Sequence, residues 1–304
     1  MILLYHNLVP PSAPDGYRHT SLTLQESVFE QHIRWLSTIF DIVSVSDYIK
    51  HHAGKSNGKK KKVAITFDDG TATSFACAFP ILQRYNVPAT IFVTTCHLNG
   101  GELMPGCYLN AVCYEEIYSE LELGSEHFSL ETPALRKHTR QRIGTMAEAS
   151  ENHFQYVRQL AQRYPLPAKI HALYGGMSVE QLCVAVESGL IEIGSHTVTH
   201  PDLSRLPGTQ QKREILESRQ ILSDLTGRAI RYFAYPSGQY DRETIELVKN
   251  AGYAAAFATI PRNLGDDPAF ELERVGVYSS SMMKLLLKVA GVAVVLRRMG
   301  AKVG

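Results

Sequence analysis

The stretch Val63-Ala64-Ile65-Thr66-Phe67-Asp68-Asp69-Gly70 is an apolar run that ends in two adjacent carboxylates and a glycine. Its β-branched and aromatic residues show no helical period, so Val63–Phe67 is predicted to be a buried strand. A strand that stops here delivers two negative groups to one edge of a sheet, and Gly70 lets the chain turn at once. On its own, Asp-Asp-Gly is ordinary turn chemistry. The rest of the chain must therefore decide whether these carboxylates are functional.

Strand-like and helix-like patterns alternate along the chain on both sides of this stretch. The other predicted strands are Met1–His6, Ile42–Val45, Ala89–Val93, Leu190–Gly194, Arg231–Tyr235, Tyr253–Ala258 and Leu272–Val277. The predicted helices are one that starts in a capping box at Thr23 and Glu26, then Asp47–His52, Ala76–Tyr85, Val179–Glu187, Gln211–Leu225 and Asp241–Asn250. Strands that alternate with helices form parallel βα units. Because short apolar strands suit a sheet covered on both faces, we predict an α/β fold closed into a barrel.

This rhythm breaks between Asn99 and Gly176, where the sequence from Ala134 to Tyr164 is helical and charged and no strand is recognisable. We interpret residues 99–176 as a helical insertion at the rim of the barrel. The insertion then belongs to a single domain that spans residues 1–304.

Composition narrows the function classes. The chain has 304 residues, of which 44% are hydrophobic and 20% charged, as in ordinary globular proteins. The net charge of +1 gives no indication of nucleic-acid binding. The five cysteines are odd in number and contain no CxxC pair, which favours reduced thiols in a cytosolic protein.

The two ends of the sequence bear on location. Met1–His6 has neither a basic leader nor a long apolar core, so we expect no secretory signal and a cytoplasmic protein. No run of about 18 uncharged apolar residues is present, which argues against a spanning helix. Met282–Gly304 is apolar and basic. We expect either a buried closing helix or peripheral contact with the inner face of the membrane through this C-terminal segment.

The second functional signal is Gly194-Ser195-His196-Thr197-Val198-Thr199-His200-Pro201. Two histidines at positions i and i+4, directly after a predicted strand, can point both imidazoles at one metal ion, with a third ligand from elsewhere. Since the carboxyl ends of parallel strands share one edge, His196 and His200 should lie beside Asp68 and Asp69. Two histidines and one carboxylate describe a hydrolytic zinc site, although the same ligands can hold iron for oxygen chemistry. The second carboxylate can take a proton from metal-bound water.

The third signal is a predicted strand that runs into a rigid turn, Phe233-Ala234-Tyr235-Pro236-Ser237-Gly238. Backbone N–H groups in such a turn can hold the oxyanion of a tetrahedral intermediate, so Tyr235, Pro236 and Ser237 are candidate oxyanion or substrate-binding residues. A plain turn is the simpler interpretation of this segment alone.

In this order, the three signals resemble the polysaccharide deacetylase family, also called the NodB-homology domain or carbohydrate esterase family 4. The resemblance covers Met1 to about Tyr278, and the insertion fits it poorly. Thr66–Gly70 matches the first motif of the family and Ser195–His200 its histidine motif. The resemblance implies a distorted (β/α)7–8 barrel, similar to a TIM barrel, with a helical insertion.

The resemblance also implies roles for these residues. Asp68 would be the catalytic base, and Asp69, His196 and His200 would be the metal ligands. The metal would be Zn²⁺, with Co²⁺, Mn²⁺ or Ni²⁺ as alternatives. The reaction would be hydrolysis of an N-acetyl group on an amino sugar, in cell-surface polysaccharide or glycolipid metabolism.

The chain departs from the family pattern at two points. Ala234 stands where the family often carries an arginine that orients the base, and no histidine follows His200 to act as general acid. Because Ile2–His6 resembles the family's late Leu-x-His strand moved to the front, His6 is our candidate for the acid. Arg274, in the last predicted strand, is our candidate for the charge missing near Asp68.

Three alternatives remain at this stage. A deformylase of a lipid-linked amino sugar would use the same metal and base. A non-catalytic carbohydrate-binding relic of the fold would explain the two departures. An iron oxygenase usually has an antiparallel barrel, which the alternating pattern does not support. For a deacetylase we expect a nucleotide-linked or lipid-linked amino sugar met on the cytosolic side.

Overall fold

The computed structural model describes residues 1–11, 13, 22–53, 61–150 and 153–291. Residues 12, 14–21, 54–60, 151–152 and 292–304 lie outside the described residues. The C-terminal prediction can therefore be compared with the structure only as far as Gly291.

The described residues form twelve strands and eleven α-helices. The strands are β1 Ile2–Tyr5, β2 Asn7–Val9, β3 Thr23–Gln25, β4 Asp41–Ile42, β5 Lys62–Phe67, β6 Ala89–Val93, β7 Glu120–Leu123, β8 Glu126–Ser129, β9 Ile191–Ser195, β10 Tyr232–Ala234, β11 Ala255–Ala258 and β12 Leu272–Gly276. The helices are α1 Glu26–Ile39, α2 Val45–Ala53, α3 Ala72–Tyr85, α4 Pro105–Tyr114, α5 Pro133–Ala149, α6 His153–Arg163, α7 Ala168–Tyr174, α8 Val179–Glu187, α9 Gly208–Thr226, α10 Arg242–Asn250 and α11 Met282–Val289.

Seven of the strands close into a parallel barrel, in the order β1-β12-β11-β10-β9-β6-β5, and β5 pairs back to β1. The short strand β4 flanks β5 outside this ring. Helices surround the barrel, so the predicted (β/α) barrel is confirmed, with seven strands. Because all seven strands run in the same direction, the residues that follow each strand meet at one end of the barrel.

Successive residues of the strands face opposite sides of the barrel wall. Ile65 and Phe233 belong to the large core between the barrel and its helices, whereas their neighbours Ala64 and Tyr232 belong to a smaller cluster of buried residues. Both sides of the wall are therefore apolar and covered, as the strand patterns predict. Arg274 is an exception, because it lies fully buried with its guanidinium 5.0 Å from the ring centre of Phe92 in the smaller cluster.

The N-terminal strand β1 sits between the last strand and β5. Ile2 pairs with Arg274 on one side and with Ala64 on the other, and Tyr5 pairs with Phe67. All four residues of β1 are buried. This register brings the residue after Tyr5 beside the residue after Phe67, at the same end of the barrel.

The start of α1 differs from the prediction. Thr23–Gln25 forms strand β3, which pairs with β2, and Gln25 is the N-cap of α1 without a side-chain hydrogen bond. The predicted capping box at Thr23 and Glu26 is therefore wrong. Pairing with β2 holds Thr23 in an extended strand, so a tertiary contact prevails over the local capping signal.

The insertion differs from the prediction in one respect. Besides α4 to α7, it contains an antiparallel hairpin of β7 and β8, with Leu121 opposite Phe128. These two strands are not recognisable in the sequence, because most of their residues besides Leu121 and Phe128 are charged or polar. The insertion packs around its own core, whose buried members include Tyr108, Leu109, Val112, Leu121, Phe128, Ile143 and Leu160.

The C-terminal helix α11 packs Leu285 into the core between barrel and helices. Within the described ranges, no helix is both long and apolar enough to cross a membrane.

Candidate active site

Asp68, the first residue after β5, is held by a buried arginine from the far end of the chain. Arg274 donates from Nη1 to Oδ1 at 2.5 Å and from Nη2 to Oδ2 at 2.8 Å. Both side chains are almost fully buried, with Arg274 1% and Asp68 3% exposed. A two-bond pair of this kind fixes the orientation of the carboxylate as well as its charge. The structure thus places the predicted substitute for the missing arginine directly on Asp68.

The charge of Asp68 results from two opposing effects. Burial alone would raise the pKa of this carboxyl group, but the charge and hydrogen bonds of Arg274 hold the pKa well below its usual range. Asp68 is therefore ionised throughout the neutral pH range. A carboxylate with so low a pKa is a weak base. It can therefore accept a proton from a water molecule whose own pKa has been lowered, as binding to a metal ion does.

Asp69, His196 and His200 converge next to this pair. The Oδ1 atom of Asp69 lies 3.8 Å from Nε2 of His196 and 3.7 Å from Nε2 of His200. The three candidate ligand atoms lie within 4.8 Å of one another. Asp69 has a φ of +70°, and this left-handed turn separates the directions of the two adjacent carboxylates.

The residues present fit a divalent ion. Oδ1 of Asp69 is buried and has no hydrogen-bond partner among the described residues, which is costly unless a cation compensates it. Burial raises the pKa of Asp69 to about 6 and lowers the pKa of His196 to about 3; it also lowers the pKa of His200. Neutral imidazoles and a carboxylate in need of a positive partner are a donor set ready for a metal.

Contacts behind the histidines fix their orientation. Nδ1 of His196 lies 2.8 Å from the carbonyl oxygen of Ala234, and a proton donated there leaves Nε2 free to face Asp69. The backbone N–H of His200 donates to Oγ1 of Thr197 at 3.0 Å. Thr197 and His200 both have positive φ values, 69° and 56°. Such backbone strain is typical of functional loops that the surrounding structure holds in place.

The residue that holds this loop carries no signal in the sequence. Glu214 on α9 accepts hydrogen bonds from the N–H groups of Val198 at 2.8 Å and Thr199 at 2.9 Å, and from Oγ1 of Thr199 at 2.7 Å. Both of these residues lie between the two histidines. No motif marks Glu214, because its role depends on how α9 packs, and the carbonyl of Ala234 was missed for the same reason.

His6 reaches the same cluster from the end of β1. Its Nε2 lies 3.9 Å from Oδ2 of Asp68, and the N–H of Asp68 donates to the carbonyl of Tyr5 at 3.2 Å. The ring of Tyr278 lies edge-on to His6, with 5.4 Å between ring centres. The register of β1 against β5 thus brings together His6 and Asp68, as the resemblance implied.

In the turn after β10, Tyr235 and Pro236 are buried and support the fold, whereas Ser237 is exposed to solvent. The hydroxyl of Tyr235 donates to the carbonyl of Phe270 at 2.9 Å, and its N–H donates to Phe257, so Tyr235 supports the barrel and does not face the cluster. Pro236 is buried in the turn. Ser237 is exposed, has a φ of 53°, and its N–H has no partner within the described part of the chain. Of the three candidates, Ser237 is the one whose N–H is available.

The stem of the insertion borders the cluster. The N–H of Met177 donates to the carbonyl of Gly70 at 2.9 Å, and the N–H of Cys96 donates to Val198 at 3.0 Å. The pKa of the Cys107 thiol on α4 is raised to about 12, mainly by burial and secondly by the negative charge of Asp69. The loops that carry the aspartates and the histidines are thus both in contact with residues next to or inside the insertion.

Known proteins resemble this chain in sequence and in fold. YxkH of Bacillus subtilis is 22% identical over 278 residues, which cover 91% of this chain and 70% of the relative. The poly-beta-1,6-N-acetyl-D-glucosamine N-deacetylase of Staphylococcus epidermidis is 26% identical over 182 residues, or 58% of this chain and 61% of that enzyme. The chain therefore spans less than two thirds of the length of that enzyme. The structure of IcaB from Ammonifex degensii has the same fold, with a TM-score of 0.60, 20% identity and 95% of each chain covered.

The family model for polysaccharide deacetylases matches residues 55–256, about two thirds of the chain. The matched range contains both aspartates, both histidines and the turn after β10. Arg274 and His6 lie outside it, and the barrel brings them back to the same point. The chain belongs to the polysaccharide deacetylase family, whose chemistry is the hydrolysis of amide bonds.

Proposed function

We propose that this protein is a metal-dependent N-deacetylase that removes the acetyl group from an amino sugar in cell-surface polysaccharide or glycolipid metabolism. The observation that carries the proposal is the position of Asp68. It is ionised by Arg274 on one side and lies next to the cluster of Asp69, His196 and His200 on the other. A base and a ligand set at this spacing are what amide hydrolysis requires.

Each residue then has a task. Asp69, His196 and His200 would hold a divalent ion, by preference Zn²⁺, with Co²⁺, Mn²⁺ or Ni²⁺ as alternatives. A divalent ion held there would supply a more acidic water and polarisation of the amide carbonyl. Asp68, oriented by Arg274, accepts the proton of the attacking water.

Two further groups act later in the reaction. The N–H of Ser237 donates to the oxyanion that forms on the carbonyl oxygen. His6 protonates the departing nitrogen, since an amine anion is too poor a leaving group to depart without a proton. The proximity of His6 and Asp68, with Nε2 and Oδ2 3.9 Å apart, supports acid and base functions on one side of the site.

The two sequence departures that favoured a non-catalytic relic are compensated in the fold. Arg274 supplies the charge that Ala234 lacks, and His6 supplies a histidine at the catalytic end of the barrel. This compensation supports an enzyme. A deformylase remains the second candidate, because the same residues would hydrolyse an N-formyl group.

Substrate and location are part of the proposal. We propose an N-acetylated amino sugar, carried on a nucleotide or a lipid and met in the cytoplasm. The relative from Staphylococcus epidermidis is named for an N-acetylglucosamine polymer, which supports the sugar class. The five free cysteines fit a reducing compartment. Fractionation that finds the native protein outside the cytoplasmic compartment would contradict the location.

The test combines metal content with acyl release from N-acetylglucosamine oligosaccharides and their N-formyl analogues. We expect about one divalent ion per chain and release of acetate that chelation abolishes and added Zn²⁺ or Co²⁺ restores. His200→Ala should lose the metal, whereas Asp68→Asn should keep it and lose activity. A wild-type chain that fails to take up any of these metals contradicts the proposal, and release of formate alone establishes the deformylase.

A further inference from the structure

The C-terminal helix α11 carries an exposed apolar stripe. Met283 is 62% exposed, Leu286 43% and Leu287 44%, and Ala290, the C-cap of the helix, is also exposed. The spacing of i, i+3, i+4 and i+7 places these side chains on one face, while Leu285 faces the core on the other. A grouped stripe of this kind differs from apolar residues scattered singly over a surface, and it marks a site of contact.

The charge of the C-terminal sequence is one-sided. The segment from Ser279 to Gly304 contains five basic residues, Lys284, Lys288, Arg297, Arg298 and Lys302, and no acidic residue. The whole chain has a net charge of only +1, so the remainder of the chain is net negative. On α11 itself, Lys284 is exposed and no residue is acidic, whereas Lys288 is buried. An exposed apolar face beside a basic side chain, in a C-terminal sequence without acidic residues, complements an anionic lipid surface.

Helix α11 is fixed at the catalytic end of the barrel. Nζ of Lys288 donates to the carbonyl of Gly276, the last residue of β12, at 2.7 Å. The same ammonium group lies 5.8 Å from the ring centre of Tyr278, which in turn lies 5.4 Å from His6. A surface that met the exposed face of α11 would therefore be close to the mouth of the active site.

We propose that the protein docks on anionic membrane surfaces through the Met283, Leu286 and Leu287 face of α11, with the catalytic end of the barrel near the lipid headgroups. The docking is independent of the proposed function. Its consequence, that the amino sugar is met at the lipid surface, rests on the proposed function.

The test is co-sedimentation of the full-length chain with vesicles of phosphatidylglycerol or of phosphatidylcholine, without any sugar substrate. The variants are Met283→Glu and Leu287→Glu, which place a negative charge in the stripe. The matched control is Val184→Glu, because Val184 lies on α8 and is 48% exposed. Circular dichroism and the urea midpoint verify that each variant is folded.

We expect the wild type to bind phosphatidylglycerol at least about tenfold more tightly than phosphatidylcholine, and to lose this preference in high salt. Leu287→Glu and Met283→Glu should each weaken vesicle binding about tenfold or more. Each variant loses an apolar side chain that docking would bury, and its new carboxylate is repelled by the anionic lipid. Val184→Glu should bind like the wild type.

Three results would overturn the docking proposal. They are absence of wild-type binding, equal binding to both lipids, and stripe variants that bind as tightly as Val184→Glu. A dimer that Leu287→Glu dissociates, with no vesicle binding, would assign the face to a second copy of the chain and so also overturn it. Acetate release from soluble oligosaccharides is measured separately, so a failure of the deacetylase proposal is distinguishable from a failure of docking.

Discussion

The ionised state of Asp68 depends above all on Arg274, which is 206 residues away in sequence. Arg274 offsets the cost of burying the carboxylate, and no other arginine or lysine pairs with Asp68 among the described residues. Removing one partner of a buried ion pair leaves an uncompensated charge, which makes such a pair sensitive to single substitutions.

Arg274→Gln should therefore change the pH dependence of the reaction. Burial then raises the pKa of Asp68 with no guanidinium to oppose it, and the base must be ionised to act. The acidic limb of kcat/KM should move to higher pH, and kcat should fall by about tenfold or more. The measurement is the pH profile of acetate release.

Arg213→Gln is the matched control for this prediction, because Arg213 pairs with Glu217 on the surface of α9 and should leave the profile unchanged. An Arg274→Gln enzyme with metal bound and an unshifted acidic limb would show that Asp68 is not the base.

The role of His6 makes a second prediction at the residue scale. If His6 protonates the departing nitrogen, His6→Ala should lower kcat on an N-acetyl sugar by about 10²- to 10⁴-fold. An aryl acetate ester needs little protonation of its leaving group, so the loss on that substrate should be much smaller. Metal content should stay at the wild-type level, because His6 lies outside the ligand set. Equal losses on amide and ester would assign His6 a structural role.

Among the elements, α9 holds the loop that carries both histidine ligands. Glu214→Ala removes three hydrogen bonds to Val198 and Thr199, and the strained loop between His196 and His200 should then relax. Metal affinity should fall by about 10- to 100-fold. Glu214→Gln, which keeps an acceptor oxygen, should lie between Ala and wild type.

The measurement is metal affinity by competition with a chelating dye, which does not depend on turnover. Glu217→Ala is the control, because Glu217 lies on the same helix and forms an exposed pair with Arg213. A Glu214→Ala protein that is less stable but binds metal normally would contradict a positioning role.

Local patterns decided which elements could be predicted. Ala89–Val93 and Val179–Glu187 were predicted with their observed bounds, because each has one clear period and a clear stop. Strand β3 and the hairpin of β7 and β8 were not predicted. These strands are short and mostly polar, and they form because they pair with other strands. The site divides in the same way. Motifs reveal the two aspartates and two histidines, whereas Glu214 becomes visible only in three dimensions.

For the whole molecule, the closure of the barrel and the assembly of the site are the same event. Strand β1 joins β12 to β5, and it carries His6 to the aspartates while β12 carries Arg274. The sequence suggested this arrangement only through the resemblance of Ile2–His6 to a late strand of the family. The register that places His6 beside Asp68 required the complete ring.

Weakening β1 should therefore destabilise the fold and the site together. Leu3 is 0% exposed and pairs with Ile65 and Val275. Leu3→Ala should lower the free energy of unfolding by about 2–5 kcal/mol, because it leaves a cavity at the closing strand. In urea, metal release and loss of circular dichroism should shift to the same lower midpoint. Ile39→Ala, at a residue 45% exposed on α1, should change stability by less than about 0.5 kcal/mol. If Leu3→Ala released its metal at the wild-type midpoint while the circular dichroism midpoint fell, the site would be independent of barrel closure.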